Sequence, residues 1–275
     1  MPAFISRQDV INGVSEQIRW VITQRMNKLR AEGHETMSVS PFLIPILFDL
    51  HRSNSFAELG ELLLAGHLMT GYTTSFGKLI DEKILPKVFK TKKLSKAFRR
   101  ENEPFREACF DEVDHLVEHP NEMPVLLSLK ASRWSIQLTM AVQINRSFDE
   151  ILTRYSDRYR KIVVGVFYGT RARLTDKYDI LRGINRGEAH DVVDIQSQVS
   201  VLAGKDFWAW LNGGEPDTQH WVLDGILDGL RTANCSEEYR RLLTSYETAF
   251  NRKYECHINS DGTVNWHGLL TDING

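Results

Sequence analysis

The sequence predicts an α/β fold, a mixed sheet flanked by helices with an additional helical region. Three observations carry that expectation. Residues 109–130 alternate apolar and polar side chains through Phe110–Val117, break at His119–Glu122 and resume through Val125–Leu129, as two short strands joined by a turn do. Ile162–Gly169 is almost continuously apolar, the pattern of a strand buried on both faces. Between them, Trp134–Tyr155 repeats Ile136, Met140, Ile144, Phe148 and Ile151 at helical spacing. A helix of that length most simply joins parallel strands by a right-handed crossover.

Taken in order, residues 7–32 carry Val10, Val14, Ile18, Val21, Ile22 and Leu29 on one helical face, and Gly33 suits the stop. This helix suits dimerisation or packing on its own domain equally well. Ser40–His51 is apolar with two prolines and Phe56–Met69 is helical, which completes a mainly helical region over residues 1–70. A core region follows over residues 71–205. It opens with a short amphipathic helix, Phe76–Phe89, in which Asp81 and Glu82 sit beside the stripe of Phe76, Leu79, Ile80 and Ile84. Residues 206–275 read as mainly helical, with Phe207, Trp208, Trp210, Leu211 and Trp221 available for a core and Gly213, Gly214 and Pro216 as breaks.

The chemistry gathers on the expected hairpin. Side chains alternate faces along a strand, so Ser128 and Lys130 share one side of the second strand while Leu127 and Leu129 point to the other. On the first strand Phe110, Glu112, Asp114 and Leu116 share a face. A carboxylate at Asp114 and an ammonium at Lys130 are thus expected a few ångströms apart. Metal-assisted phosphodiester cleavage needs that pair, although a cross-strand ion pair has the same appearance and contributes little when exposed.

Basic residues flank the hairpin. From Lys83 to Arg100 there is no acidic residue but there are Lys87, Lys90, Lys92, Lys93, Lys96, Arg99 and Arg100, a run suited either to solvent or to a phosphate backbone. After the apolar strand come Arg171, Arg173, Lys177, Arg182 and Arg186, and Arg133 stands where the crossover helix opens. Arginine bonds both acceptor atoms of guanine in the major groove, but loop charge paired with Asp176 and Asp179 explains any single one as well.

The chain has 275 residues, 42% hydrophobic and 25% charged, with net charge −2, which neither supports nor excludes a nucleic-acid partner. Cys109, Cys235 and Cys256 have no metal-ligand spacing and read as reduced cysteines, and the histidines show no zinc-like spacing and read as structural. The sequence lacks an apolar stretch of membrane-spanning length and a signal-peptide layout, so a cytoplasmic protein with no membrane partner is expected. No Gly-x-x-x-x-Gly-Lys loop is present, and ATP dependence is not expected.

An acid-bearing helix, an Asp on one strand, a Lys on the next, a crossover helix and a buried strand together resemble the core of the PD-(D/E)XK nucleases. HLMTGYTTSFGKLIDEKILP, CFDEVDHLVE, LLSLKASRWSIQLTMAVQIN, VVGVFYGTRARLTDKYDILRGIN and TQHWVLDGI resemble, more closely, a type II restriction endonuclease family that cleaves RGGNCCY in double-stranded DNA. The likeness runs from about Ser38 to the C terminus. It implies a restriction-endonuclease-like sheet, a homodimer, Mg2+ as cofactor, and cleavage that leaves a 5′ overhang and a 5′ phosphate. It also implies a metal held by Asp114 and the Leu129 carbonyl, a water positioned by Lys130, and DNA contacts among the basic residues named above. Where the general motif has its second acid this chain has Ser128. Glu82 is the first candidate to replace that acid in the metal site and Asp81 the second, while Gln143 on the crossover helix cannot supply the charge. A non-cleaving DNA-binding protein that retains the fold, and a structure-specific nuclease, are the alternative expectations.

Overall fold

The computed structural model describes residues 4–32, 40–118, 122–132, 136–185, 187 and 189–275. Helices α1 (Arg7–Glu32), α2 (Leu43–Leu50) and α3 (Phe56–Leu79) come first, and α3 runs on into a π-helical stretch, Ile80–Val88. Strand β1 (Lys92–Lys93) and helix α4 (Lys96–Glu101) lead to β2 (His115–Val117), β3 (Val125–Lys130), α5 (Leu138–Arg154) and β4 (Ile162–Val166). Helix α6 (Lys177–Ile180) is followed by β5 (Val199–Ala203), α7 (Lys205–Leu211), α8 (Thr218–Thr232), α9 (Cys235–Tyr254) and α10 (Trp266–Asn274). The chain divides into two units, Met1–Gln17 with Gly77–Asp228 and Ile18–Phe76 with Gly229–Gly275, a division that cuts across the three consecutive regions read from the sequence.

The first unit is a mixed α/β fold around a five-stranded sheet in the order β1-β2-β3-β4-β5. The first three strands run antiparallel to their neighbours, and β3, β4 and β5 run parallel. Helix α5 is the crossover between β3 and β4. Its buried side, Ala141, Ile144, Phe148, Ile151 and Leu152, packs into one core with Leu126, Ile162, Val164, Val166, Val199 and Val201 from one sheet face. Within the helix, buried Asn145 bonds Val193 in both directions, N–H to Oδ1 at 2.8 Å and Nδ2 to O at 2.9 Å, and so holds the loop before β5. The other sheet face receives α7 at a point where the backbone itself must be bare. A Cβ on Gly165 would lie 2.4 Å from Phe207 and 3.0 Å from Leu127.

In the second unit, buried Phe56 on α3 is ringed by Phe48, Tyr254 and Trp266, with ring centroids 5.7, 5.4 and 6.5 Å away. Gly60, one turn on, admits the Phe250 ring of α9. The Tyr246 hydroxyl of α9 donates to the Leu29 carbonyl of α1 at 3.4 Å. Among the described residues no helix is long and apolar enough to cross a membrane.

Several elements differ from expectation for identifiable reasons. The first hairpin strand begins at His115 rather than Phe110, because residues 108–110 form a 3-10 turn that buries Cys109 and Phe110 in the core. The Arg99 guanidinium holds that turn by donating to the carbonyls of Leu94, Phe110 and Val113. The stretches Phe56–Met69 and Phe76–Phe89 belong to one uninterrupted helical run. Met140, expected on the packed side of the crossover helix, is 37% exposed. Trp134, Gly33 and the turn residues His119, Pro120 and Asn121 lie outside the described residues.

Gly165→Ala should lower stability by about 1–3 kcal/mol, the usual cost of forcing atoms into a filled core. Urea unfolding measures this, and an unchanged midpoint would show that Phe207 does not press on β4 as described.

Candidate functional site

The register of the hairpin builds the site. His115, Leu116 and Val117 pair with Leu127, Leu126 and Val125. Continued one residue past the ladder, the same register sets Asp114 opposite Ser128 on the face that Lys130 shares, and Glu112, from the turn before β2, joins them through its bond to Lys130. Asp114 is pinned by backbone and side chain together: its N–H donates to the Leu127 carbonyl at 2.8 Å, its carbonyl accepts from Leu94 at 2.8 Å, and Oδ2 accepts from the Leu129 N–H at 2.6 Å. Lys130 Nζ donates to Glu112 Oε2 at 2.8 Å, with 12% of the lysine side chain exposed. Ser128 is fully buried, and its Oγ has no hydrogen-bond partner among the described residues.

Burial pushes the Asp114 carboxyl above the ordinary carboxylate range. The Leu129 N–H and the Lys130 ammonium oppose that rise and the negative charge of Asp81 adds to it. Asp81 itself is reached from the other side of β2. His115 points to the face opposite Asp114, fully buried, with Nε2 2.8 Å from Asp81 Oδ1 and Nδ1 3.0 Å from Thr91 Oγ1. Lys93 on β1 also bonds Asp81. Burial raises the Asp81 carboxyl, but the hydrogen bonds from His115 and Lys93 and their charges outweigh it, and the group is held below its ordinary value. Asp81 is therefore the fixed anion of the pair, and Asp114 the one whose charge is costly.

Glu82, the first expectation for the helix acid, is exposed and makes no described contact with Asp114, Ser128 or Lys130. The reason is helical phase. The π-helical turn buries Ile80, Ile84, Leu85 and Val88, which leaves Asp81 on the sheet side, one turn before Leu85, and turns Glu82 toward solvent. Glu112 was grouped with Asp114 on one face in the sequence but given no role. The structure joins it to Lys130 from the turn before β2, which strand alternation does not reveal. Gln143 is exposed on α5.

The expected DNA-contacting residues fall into distinct groups. Lys130 at the end of β3 pairs in register with Val166 at the end of β4, so the segment carrying Arg171, Arg173 and Lys177 leaves the sheet at the same edge as the site. Ligands commonly meet open sheets at this carboxyl end of parallel strands. Within that segment Arg171 is held by buried Asp179 and Lys177 by Asp176 at 2.6 Å, while Arg173 is exposed. Arg182 donates to the carbonyls of Val199 at 2.9 Å and Gln196 at 3.3 Å and serves as a brace for the loop before β5. Lys92 is exposed over the Phe98 ring at 4.9 Å, and Lys93 is engaged by Asp81. Arg133 and Arg186 lie outside the described residues. A scan against protein-family models matches none for this chain, and a search of curated proteins returns no match.

Because the Asp114 carboxyl is raised in the folded chain, the stability it contributes is full below its unfolded value and is lost as pH rises through the folded one. Asp114→Asn keeps an oxygen for the Leu129 N–H and removes the charge. In the presence of a chelator, the variant should match wild type in acid and be the more stable near neutrality, as read by urea midpoints across pH. A wild type that gains on the variant as pH rises would contradict the assigned environment of Asp114.

Proposed function

We propose that this chain is a metal-dependent endonuclease of double-stranded DNA, specifically a type II restriction endonuclease that acts as a homodimer on an RGGNCCY-like site. The observation that carries the reading is the convergence of Asp114, Ser128 and Lys130 on one face of the hairpin, at the carboxyl end of β3. The sheet order supports it, since an antiparallel hairpin, a crossover helix and a parallel strand follow one another as in the resemblance described above. The recognition sequence, the 5′ overhang and the two-fold assembly rest on that resemblance. A palindromic duplex is met most simply by a two-fold protein with one site per strand.

The donor set fits magnesium, a hard cation that takes oxygen ligands and keeps several waters. Asp114 and the Leu129 carbonyl would hold it, while Asp81 is engaged by His115 and Lys93 across β2 and Glu82 is exposed, so neither helix acid stands beside it. Asp114 is a carboxylate made costly by burial and by a second carboxylate nearby, a condition that a divalent cation relieves. When bound, the ion would neutralise charge that grows on the phosphoryl oxygens. The chain's own groups do the rest. Glu112 fixes the Lys130 ammonium so that it faces the scissile phosphate and orients the attacking water. Ser128 stands where the second acid would be, and its buried Oγ has no partner among the described residues. Exposed Arg173 and Lys92 supply phosphate contacts, which give affinity without reading sequence.

Two observations favour a second reading, that of a DNA-binding protein which does not cleave. Ser128 lacks the charge of the missing acid, and Lys130 is already neutralised by Glu112. Incubation with plasmid DNA and Mg2+ separates the two. Wild type should give discrete fragments, and Lys130→Ala should cut at least about 100-fold more slowly, the usual scale for losing a proton-handling group. Gel-shift affinity of the variant for the site should stay within a few-fold of wild type. Retarded but intact DNA from wild type would favour the binder, and undiminished cutting by the variant would remove Lys130 from the mechanism.

A further inference from the structure

Near the C terminus three side chains meet that the nuclease reading does not use. Cys256 and His257 are consecutive in the 3-10 turn Glu255–His257 that follows α9, and Asp272 lies on α10. The Cys256 Sγ, a ring nitrogen of His257 and a carboxylate oxygen of Asp272 all fall within 4.8 Å of one another. His257 is 8% exposed, and its Nε2 stands 3.0 Å from Asp272 Oδ2. Cys256 is a free, exposed thiol. The surrounding backbone is fixed on both sides. Ile258 bridges to Val264, the Asn265 N–H donates to the His257 carbonyl at 2.8 Å, and the Asn265 side chain caps α10 by accepting from the Gly268 N–H at 3.0 Å. Leu269, one turn before Asp272, is buried and anchors that helix.

We propose that Cys256, His257 and Asp272 form a three-ligand site for a borderline-soft divalent metal, zinc being the natural occupant. Thiolate, imidazole and carboxylate are the donors zinc takes together, whereas a hard cation such as magnesium does not select sulfur. Zinc bonds of about 2.3 Å to sulfur and about 2.0–2.2 Å to nitrogen and oxygen, at tetrahedral angles, set the ligand atoms about 3.3–3.7 Å apart. The contact between His257 and Asp272 needs to open by only a few tenths of an ångström, and the exposed Cys256 side chain turns about its first torsion to close the set. The metal displaces the thiol proton of Cys256, which leaves to solvent, and takes His257 as the neutral imidazole through Nε2, with the ring's one proton on Nδ1. Water completes the fourth position. Bound there, the ion ties the turn after α9 to α10.

The other cluster of this size among the described residues, Glu107, Cys109 and Glu150, is already occupied by protein groups. Arg154 bonds both glutamates, the Tyr155 hydroxyl donates to Glu107, and burial with the two acids pushes the Cys109 thiol up to about 11, far from its ligating form.

The experiment treats the full chain with a chelator, removes the chelator and titrates with Co2+, whose thiolate charge-transfer absorption reports a cysteine ligand. One Co2+ per chain should give that band, and Zn2+ should displace it and raise the thermal unfolding midpoint. Cys256→Ser, a near-isosteric change at an exposed position, should abolish the band. Asp272→Asn should weaken Zn2+ binding by at least about tenfold, since even the outer partners of metal ligands are worth that much. Asp114→Asn should leave the band intact, which separates this site from the nuclease reading. Absence of the band in wild type, its survival in Cys256→Ser, or its loss in Asp114→Asn would overturn the proposal.

Discussion

The hydrogen bond from the Leu129 N–H to the Asp114 carboxylate is the interaction on which the rest of the candidate site depends. It crosses from β3 to the residue just before β2 and fixes a charged group where burial would otherwise expel it. A buried carboxylate of this kind is retained against a stability cost. The sheet tolerates it because the backbone at Asp114 is bonded on both sides, to Leu94 and to Leu127. The same register that holds Asp114 brings Ser128 opposite it, and Glu112, from the turn before β2, closes the group by bonding Lys130.

Support for this arrangement comes from outside the hairpin. Arg99 holds the approach to β2 with three carbonyl contacts, to Leu94, Phe110 and Val113, on either side of Glu112. On the opposite face His115 and Lys93 hold Asp81, a fixed negative charge that raises the cost of ionising Asp114. The two acids thus lie on either side of β2, Asp81 held low by its cations and Asp114 raised by burial that the Leu129 N–H and Lys130 only partly offset. That asymmetry is the physical basis for proposing Asp114, and not Asp81, as the carboxylate that takes the metal.

The parts of this that were legible in the sequence are those set by simple periodicity. The bounds of α1, the buried run of β4 and the shared face of Ser128 and Lys130 follow from spacings of two or of three to four, whereas β3 is buried on both faces from Val125 to Ser128 and does not alternate. The illegible parts have non-periodic causes. Strand β1 is two lysines with no alternation, and the residues before β2 leave the sheet because Arg99 draws their carbonyls away. The choice between Asp81 and Glu82 turns on a π-helical phase that an α-helical stripe cannot reveal. Cys256, His257 and Asp272 carry no recognisable ligand spacing because the third donor arrives on a separate helix, across a turn fixed by backbone bonds. Asp176 and Asp179 were expected as partners of the loop charge and do hold Lys177 and Arg171, whereas the carbonyls that Arg182 braces are partners charge patterning does not identify.

The central claim is that a divalent cation and a phosphate meet at Asp114 beside Lys130. Its most direct measurement is a crystal structure of the chain with Mn2+ and a short duplex, in which anomalous scattering locates the ion. The account predicts a peak in contact with the Asp114 carboxylate and a backbone phosphate on the Lys130 side of the hairpin. An ion found elsewhere, or a duplex bound away from this face, would contradict it.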